Sequence, residues 1–256
     1  PNALVLELGI DRPGDMTYLL SFIPVDIGIV THISGSHLEY FKTLAGVAKE
    51  KGELLRHFAP GSGVAIVNAD NAYAGKLLEK STAKEKMSYG FTEAANIRAM
   101  HAALLTGEPS AALLPGYSFK LQYDGKTFPV RLPLIVAEHH LYAALAALSV
   151  AIALRMNLVN AAKALERFAP LPGRLFVLPG VQETILLDDT YNASPVSTKE
   201  ALKVLCKVAT GRRVAVLGDM LELGPKSDQK HEALKEDLYA AGAHTVVLVG
   251  NHMHAL

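Results

Sequence analysis

In this 256-residue chain, Lys51 occupies the setting that demands the most of its side-chain chemistry. Between Thr43 and Phe58 the apolar residues Leu44, Val47, Ala48, Leu54, Leu55 and Phe58 recur at helical spacing and form one stripe. Lys51 falls in the middle of that stripe, while Lys49, Glu50, Glu53 and Arg56 lie off it. Lys49 and Glu53 are spaced to pair at i, i+4. A lysine on an inward face is costly to bury as a cation, so it sheds its proton or finds a partner. The neutral amine can act as a base or nucleophile. It can also capture carbon dioxide as a carbamate, which would turn a cation into an anionic metal ligand. The other outcome is a side chain that snorkels from the helix edge to water.

Two further residues have the type and place for related chemistry. The run 3–9, ALVLELG, reads as a buried strand ending in Glu7 and Gly9. A carboxylate there can contact a ligand or metal, or finish the strand with a salt bridge. His37 closes a loop of small residues, 31–37, that follows an expected strand at 25–30. That places it at the C-terminal edge of an α/β sheet, where such sheets bind ligands.

Other elements must position these groups. A short helix is expected at 15–22 and a strand at 63–67, with Asn68 to Asn71 capping the next helix. Segments 119–123 and 127–132 alternate about Asp124-Gly125, which predicts a hairpin. The Gly125-Lys126-Thr127 inside it is not a phosphate-binding loop, because Lys120 stands where the first glycine is required. Residues 138–156 read as a long helix, apolar nearly all round, and 158–168 as another. The segment 170–174, Pro-Leu-Pro-Gly-Arg, is the best boundary between domains 1–170 and 171–256.

Beyond it, strands at 183–187, 213–217 and 245–249 alternate with helices at 195–208 and 228–241. Pro195 begins the first of these helices. This alternation predicts a parallel, Rossmann-like domain. It has no G-x-G-x-x-G fingerprint for a dinucleotide. Its strands end in Asp188-Asp189, Gly218-Asp219 and Gly250-Asn251, polar loops that would face one crevice.

Composition bounds the rest. The 25 basic and 25 acidic residues balance, and nothing in them argues for a nucleic-acid footprint or a basic membrane-binding stripe. No apolar run of about 18 residues is free of polar breaks, so no membrane span is expected. The single cysteine, Cys206, lies in an expected amphipathic helix; it allows no internal disulfide and fits a reducing, cytoplasmic setting.

Taken together, LVLELG with RPGDM, HLEYF, VAKEKGE, VAIVNADN, PGRLF, DDTYNASP and GDMLELG resemble, in order, the motifs of the Mur ligase family. The likeness is nearest to the branch that joins D-Ala-D-Ala to UDP-MurNAc-tripeptide in peptidoglycan synthesis. It implies an α/β fold: the later part of a central ATPase domain, mostly parallel sheet with helices plus a hairpin, then a partial Rossmann-like C-terminal domain. It also implies an ATP-dependent ligase working through an acyl phosphate with Mg2+, cytoplasmic and monomeric when full length.

By the family pattern Glu7, His37 and Lys51 match magnesium-binding positions, with Lys51 the carbamylated lysine. Arg174 and Asp189 match contacts to ATP phosphate or ribose, and Tyr191 and Asn192 share their motif. From the residues alone, Arg174 also suits a hinge salt bridge and Asp189 a helix cap. His139 is kept in the adenine-contacting segment, whereas His140 and Ala143 stand where asparagines are expected. Asp219, Met220, Glu222 and Leu223 would help bind the amino substrate or close the cleft, and His231 is expected to be structural. The family's P-loop and sugar-binding domain are not in this sequence, so the chain is expected to be a fragment, inactive alone. The rival readings are another Mur ligase or folylpolyglutamate synthase, and a non-catalytic Mur-like binding or scaffold protein.

Overall fold

The computed structural model describes residues 3–34, 38–105 and 115–256. The chain gathers into two compact units. One comprises Pro1–Met100, Lys120–Pro129 and Tyr142–Ala162; the other comprises His101–Phe119, Val130–Leu141 and Lys163–Leu256. A six-stranded sheet runs in chain order: β1 (Ile27–Val30), β2 (Val64–Asn68), β3 (Glu85–Gly90), β4 (Ile97–Leu105), β5 (Gly116–Tyr123) and β6 (Lys126–Leu132).

In the first unit β1, β2, β3 and β4 pair in parallel, with Ile27 opposite Val64, Val64 opposite Glu85 and Tyr89 opposite Ile97. Ala65, Ile66 and Val67 of β2 are almost fully buried, as a strand covered on both faces must be. Helix α1 (Asp15–Leu20) buries Met16 and Leu20. A short turn of helix, α2 (Leu38–Phe41), leads to α3 (Leu44–Gly52), which a 3-10 turn extends through Glu53–Arg56. Thr43 caps α3 by accepting the Gly46 N–H at 3.0 Å.

The expected stripe is real, since Val47, Ala48, Leu54, Leu55 and Phe58 are all buried in one core with β1 and β2; Leu44 is exposed. The fit is close at Gly28, where any added side chain would push its neighbours back by a few tenths of an ångström. A Cβ there would stand 3.1 Å from the Phe58 ring and 3.2 Å from Leu54 and Leu55.

Four local expectations need correction. The run 3–9 forms no strand and is irregular, with Leu4, Val5 and Leu6 exposed. Composition offers apolar surface, but a strand exists only where a neighbour completes its ladder. Glu50 does not lie off the stripe: it is buried, because its carboxylate accepts two backbone N–H groups. Glu53 pairs with Arg56 rather than Lys49. The tightening to 3-10 geometry at Glu53 eclipses side chains three apart. Before helix α4 (Ala74–Glu79), Asn68 and Asn71 turn the chain by accepting the N–H groups of Asp70 and Tyr73, without capping the helix itself.

The hairpin of β5 and β6 turns at Asp124-Gly125, and the long helix is α5 (His139–Ala153), followed by α6 (Leu158–Leu165). In the second unit β7 (Phe176–Pro179) pairs antiparallel with β8 (Ile185–Asp188). Helix α7 (Pro195–Val208) opens on a capping box between Ser194 and Ser197, with proline in its first turn. Strand β9 (Val214–Gly218) pairs in parallel with β10 (Thr245–Val249). The expected run of parallel strands therefore holds for β9 and β10, whereas β8 takes β7 as its partner. The helix expected at 228–241 is two: α8 (Ser227–Glu232) and α9 (Leu234–Ala241). They join through Ala233, whose ψ of −15° tightens the turn without breaking it. Leu202, Ala215, Leu238 and Ala241 form the core under β9, and Val136, Ala137, Leu175, Val177, Val204 and Val208 form a second.

Candidate functional site

Lys51 projects from the last turn of α3 into a cleft of about 230 Å³. Glu7, Gly9 and Asp11 form part of its wall, with Ser34, Phe41 and Val47 completing the lining around Lys51. The amine is half-buried and donates to the carbonyl of His32 at 2.8 Å. Burial pushes its pKa below the ordinary lysine value. Glu7 and Lys51, singled out from sequence, thus meet in one cleft. His37 lies outside the described residues.

The cleft adds Asp11 and Ser34, which the sequence reading did not name. Asp11 comes four positions before Asp15, the first residue of α1, whose carboxylate accepts the N–H groups of Asp11 and Arg12 at 2.8 and 2.7 Å. Those two bonds hold the Asp15 carboxyl below its usual range. The Asp11-to-Asp15 spacing, with Gly14 between, was the available signal for this turn.

A second cluster forms where the Pro-Gly-Arg segment meets the loop after β8. Gly173 has φ +77°, and a Cβ on it would stand 2.9 Å from the Tyr191 nitrogen, so only glycine allows the approach. Tyr191 N–H donates to the Gly173 carbonyl at 3.1 Å. Asp188 accepts the Gly173 N–H at 3.1 Å and the Thr190 hydroxyl at 2.7 Å. Asp189 accepts the Leu175 N–H at 3.1 Å. The Arg174 guanidinium lies 4.0 Å above the Tyr191 ring, an exposed cation–π stack. Asn192 sits exposed in the same loop.

The two neighbouring carboxyls are tuned apart. The Thr190 hydroxyl, helped by backbone N–H groups, holds Asp188 below its ordinary value. Burial pushes Asp189 up, against the pull of Leu175 N–H, Arg174 and His139. Burial lowers His139 in turn, although part of its ring reaches solvent, and the Asp189 and Glu200 carboxylates resist that shift. His140 is driven down to about 4 by burial and by His139, whose ring centroid is 4.2 Å away. Arg174, Asp189, Tyr191 and His139 are therefore assembled as one electrostatic group.

The GDMLELG residues are engaged in their own loop. Asp219 accepts the N–H groups of Asn251, His252 and Met253 at 2.8, 3.0 and 3.0 Å, joining the ends of β9 and β10. Desolvation raises its carboxyl, but these three bonds outweigh it and hold the pKa down. Met220 is buried, and its N–H donates to His231 Nε2 at 2.9 Å. His231, fully buried, is held from the other side by the Ser227 carbonyl at 2.8 Å. This fixes one neutral tautomer in a structural role. Glu222 is exposed with φ +61°. Among the described residues no group of three or more His, Cys, Asp or Glu side chains converges as a metal cage.

This fold is that of Mur ligases. The Mur ligase middle domain matches residues 1–151 and the Mur ligase glutamate ligase domain residues 173–256, so the chain belongs to the Mur ligase family. The UDP-N-acetylmuramoyl-tripeptide--D-alanyl-D-alanine ligase of Escherichia coli K12 is 34% identical over 253 residues, 98% of this chain and 54% of that protein. Its counterpart in Rickettsia prowazekii is 29% identical over 96% of this chain and 53% of its own length. A crystal structure of MurF from Acinetobacter baumannii superposes with a TM-score of 0.83 at 32% identity, over 98% of this chain and 52% of that one. The chain spans about half the length of the curated relatives it matches.

Proposed function

We propose that this chain carries the cleft and nucleotide loops of an ATP-dependent ligase that joins D-Ala-D-Ala to UDP-MurNAc-tripeptide in peptidoglycan synthesis. The observation that carries this reading is the meeting of Glu7 with half-buried Lys51 in one cleft, supported by family membership over nearly the whole chain. Residues 1–170 would belong to the central ATPase domain and 171–256 to the C-terminal ligase domain. Both substrates are polar and the carrier is a nucleotide sugar, which suits a cytoplasmic reaction by a monomer. Among the described residues, no helix is long and apolar enough to cross a membrane.

In the proposed chemistry, an oxygen of the tripeptide's terminal carboxylate attacks the γ-phosphorus of ATP, and ADP leaves. The amine of D-Ala-D-Ala then attacks the acyl phosphate, phosphate leaves, and the amine's proton is lost to a base. The donor set of the cleft, two carboxylates and a hydroxyl, suits Mg2+, which takes one or two carboxylates and fills its shell with phosphate and water. Glu7 would hold it, with His37 and Lys51 as the other protein groups. Bound there, it would neutralise charge building on the transferring phosphoryl group.

Burial favours the neutral Lys51 amine, which can add carbon dioxide and release a proton to give a carbamate. Its carbonyl partner at His32 would orient the chain of the side chain toward the cleft. Arg174 and Asp189 would meet the nucleotide's phosphate or ribose, with Tyr191 and Asn192 beside them, and His139 would face the base. Asp219, Met220 and Glu222 would shape the loop near the amino substrate. The intact protein, given ATP, Mg2+, UDP-MurNAc-tripeptide and D-Ala-D-Ala, is expected to form the pentapeptide product with one ADP and one phosphate each. ATP turnover that is independent of D-Ala-D-Ala, or none at all, would sink this assignment.

A further inference from the structure

Glu50 stands next to Lys51 on α3, yet only 8% of it is exposed. Its Oε1 accepts the N–H groups of Gly14 and Met16, both at 2.9 Å. Neither contact is local, the partners lying 36 and 34 positions apart in the chain. Gly14, at φ 98°, heads α1 and offers no side chain to cap it. The Glu50 carboxylate therefore satisfies donors that α1 leaves unpaired, through charge-assisted hydrogen bonds. The chain of bonds continues on α1, where Asp15 accepts the N–H groups of Asp11 and Arg12. Asp11 lines the cleft, in the same stretch as Glu7. The next residue of α3, Lys51, grips the opposite wall through the His32 carbonyl, two residues before Ser34. Consecutive residues of one helix thus tie down both walls.

We infer that Glu50 is a positioning residue of this cleft: through the Gly14 and Met16 amides it sets where the Glu7–Asp11 wall stands against Lys51, and with it the affinity for a divalent cation. This rests on the reading of the cleft as a magnesium site. A carboxylate that merely completed the core would stabilise the fold without governing cation binding. Glu50 instead ties α3 to the head of α1, which follows directly on the Glu7–Asp11 stretch; that stretch has no strand ladder, and these two bonds set its place together with the Asp15 carboxylate and the packing of Leu8 and Ile10.

The test uses Mn2+ as the probe, its binding to the intact protein followed by electron paramagnetic resonance, with amide hydrogen exchange at Gly14 and Met16 measured alongside. Glu50→Ala is expected to speed exchange at both amides and to weaken Mn2+ binding about 10-fold, the usual scale for loss of a group that orients metal ligands. Glu50→Gln keeps an acceptor oxygen and is expected to fall between. Glu7→Gln serves as the direct probe of the site. Faster exchange in Glu50→Ala with Mn2+ affinity unchanged, while Glu7→Gln binds weakly, would overturn this inference and leave the magnesium site standing. Mn2+ binding indifferent to both Glu7→Gln and Glu50→Ala would overturn both. Should Glu50→Ala fail to fold, Glu50→Gln decides: weaker Mn2+ binding at an unchanged melting temperature supports the role, and unchanged affinity refutes it.

Discussion

The Lys51 cleft and the Arg174–Asp189 cluster place functional groups by different physics. Lys51 rides near the end of a helix whose buried stripe continues through Leu54, Leu55 and Phe58 into the core against β1. Its working position is set mainly by apolar packing, with the Lys51–His32 hydrogen bond at the rim and the buried Glu50 carboxylate tying the helix to α1. The second cluster has no such foundation. Arg174 and Tyr191 are exposed, and their loops are joined by carboxylates that accept backbone N–H groups and by a glycine that permits close approach. Packing is costly to disturb and insensitive to pH, whereas a cluster of partly exposed imidazoles and carboxylates is cheaper to disturb and responds to protons. A hydrophobic foundation and an ionic clasp should therefore fail under different treatments.

The largest effect should come from the foundation. Leu55 is fully buried beneath the segment that carries Lys51. Leu55→Ala is expected to cost about 2–5 kcal/mol, through lost burial and the cavity left behind. Denaturant unfolding followed in the first unit would measure it. A loss below about 1 kcal/mol would mean that the site collapses freely and that packing does not fix the cleft.

A smaller and pH-dependent effect belongs to the other region. His140 is lowered to about 4 in the folded chain from an ordinary value of 6.5. Between these values the unfolded chain binds a proton that the folded chain refuses. The contribution of neutral His140 is thus fully present above pH 6.5 and is lost as pH falls toward 4. The loss should reach on the order of 1–3 kcal/mol, allowing for partial solvent access. Comparing urea unfolding at pH 7 and pH 5 for the wild type and His140→Leu isolates this share, since the carboxylates titrate in both. The same pH slope in both proteins would remove His140 as its source.

The sequence made the packed parts legible and left the rest obscure, for physical reasons. The stripe from Val47 to Phe58, the Asp124-Gly125 turn and the proline-led start of α7 follow from local periodicity and turn chemistry, and all three are found. Strands β3, β4 and β7 were not anticipated. β3 begins with Glu85-Lys86 and β4 runs Ile-Arg-Ala-Met-His-Ala, neither alternating cleanly, because parallel pairing rather than pattern makes them strands. The run 3–9 failed the other way, being strand-like in composition but without a ladder.

At the site, half-burial of Lys51 could be read from its place in the stripe. Its company with Asp11 and Ser34 could not, since that depends on chain segments 40 and 17 residues away, counted from 51 − 11 and 51 − 34. Glu50 was legible in principle: it stands three residues after Val47, on the same face. Its acidic type argued against burial, and only the Gly14 and Met16 N–H groups resolve that conflict.

The measurement that bears most directly on the central claim is ADP formation by intact Lys51→Ala protein with all substrates present, with and without a short carboxylic acid such as acetate. If Lys51 works as a carbamate, its loss should slow the reaction at least about 100-fold, and acetate, which can supply an anionic oxygen where the carbamate stood, should restore part of it. Turnover that survives Lys51→Ala undiminished would contradict the claim that this half-buried lysine organises the site.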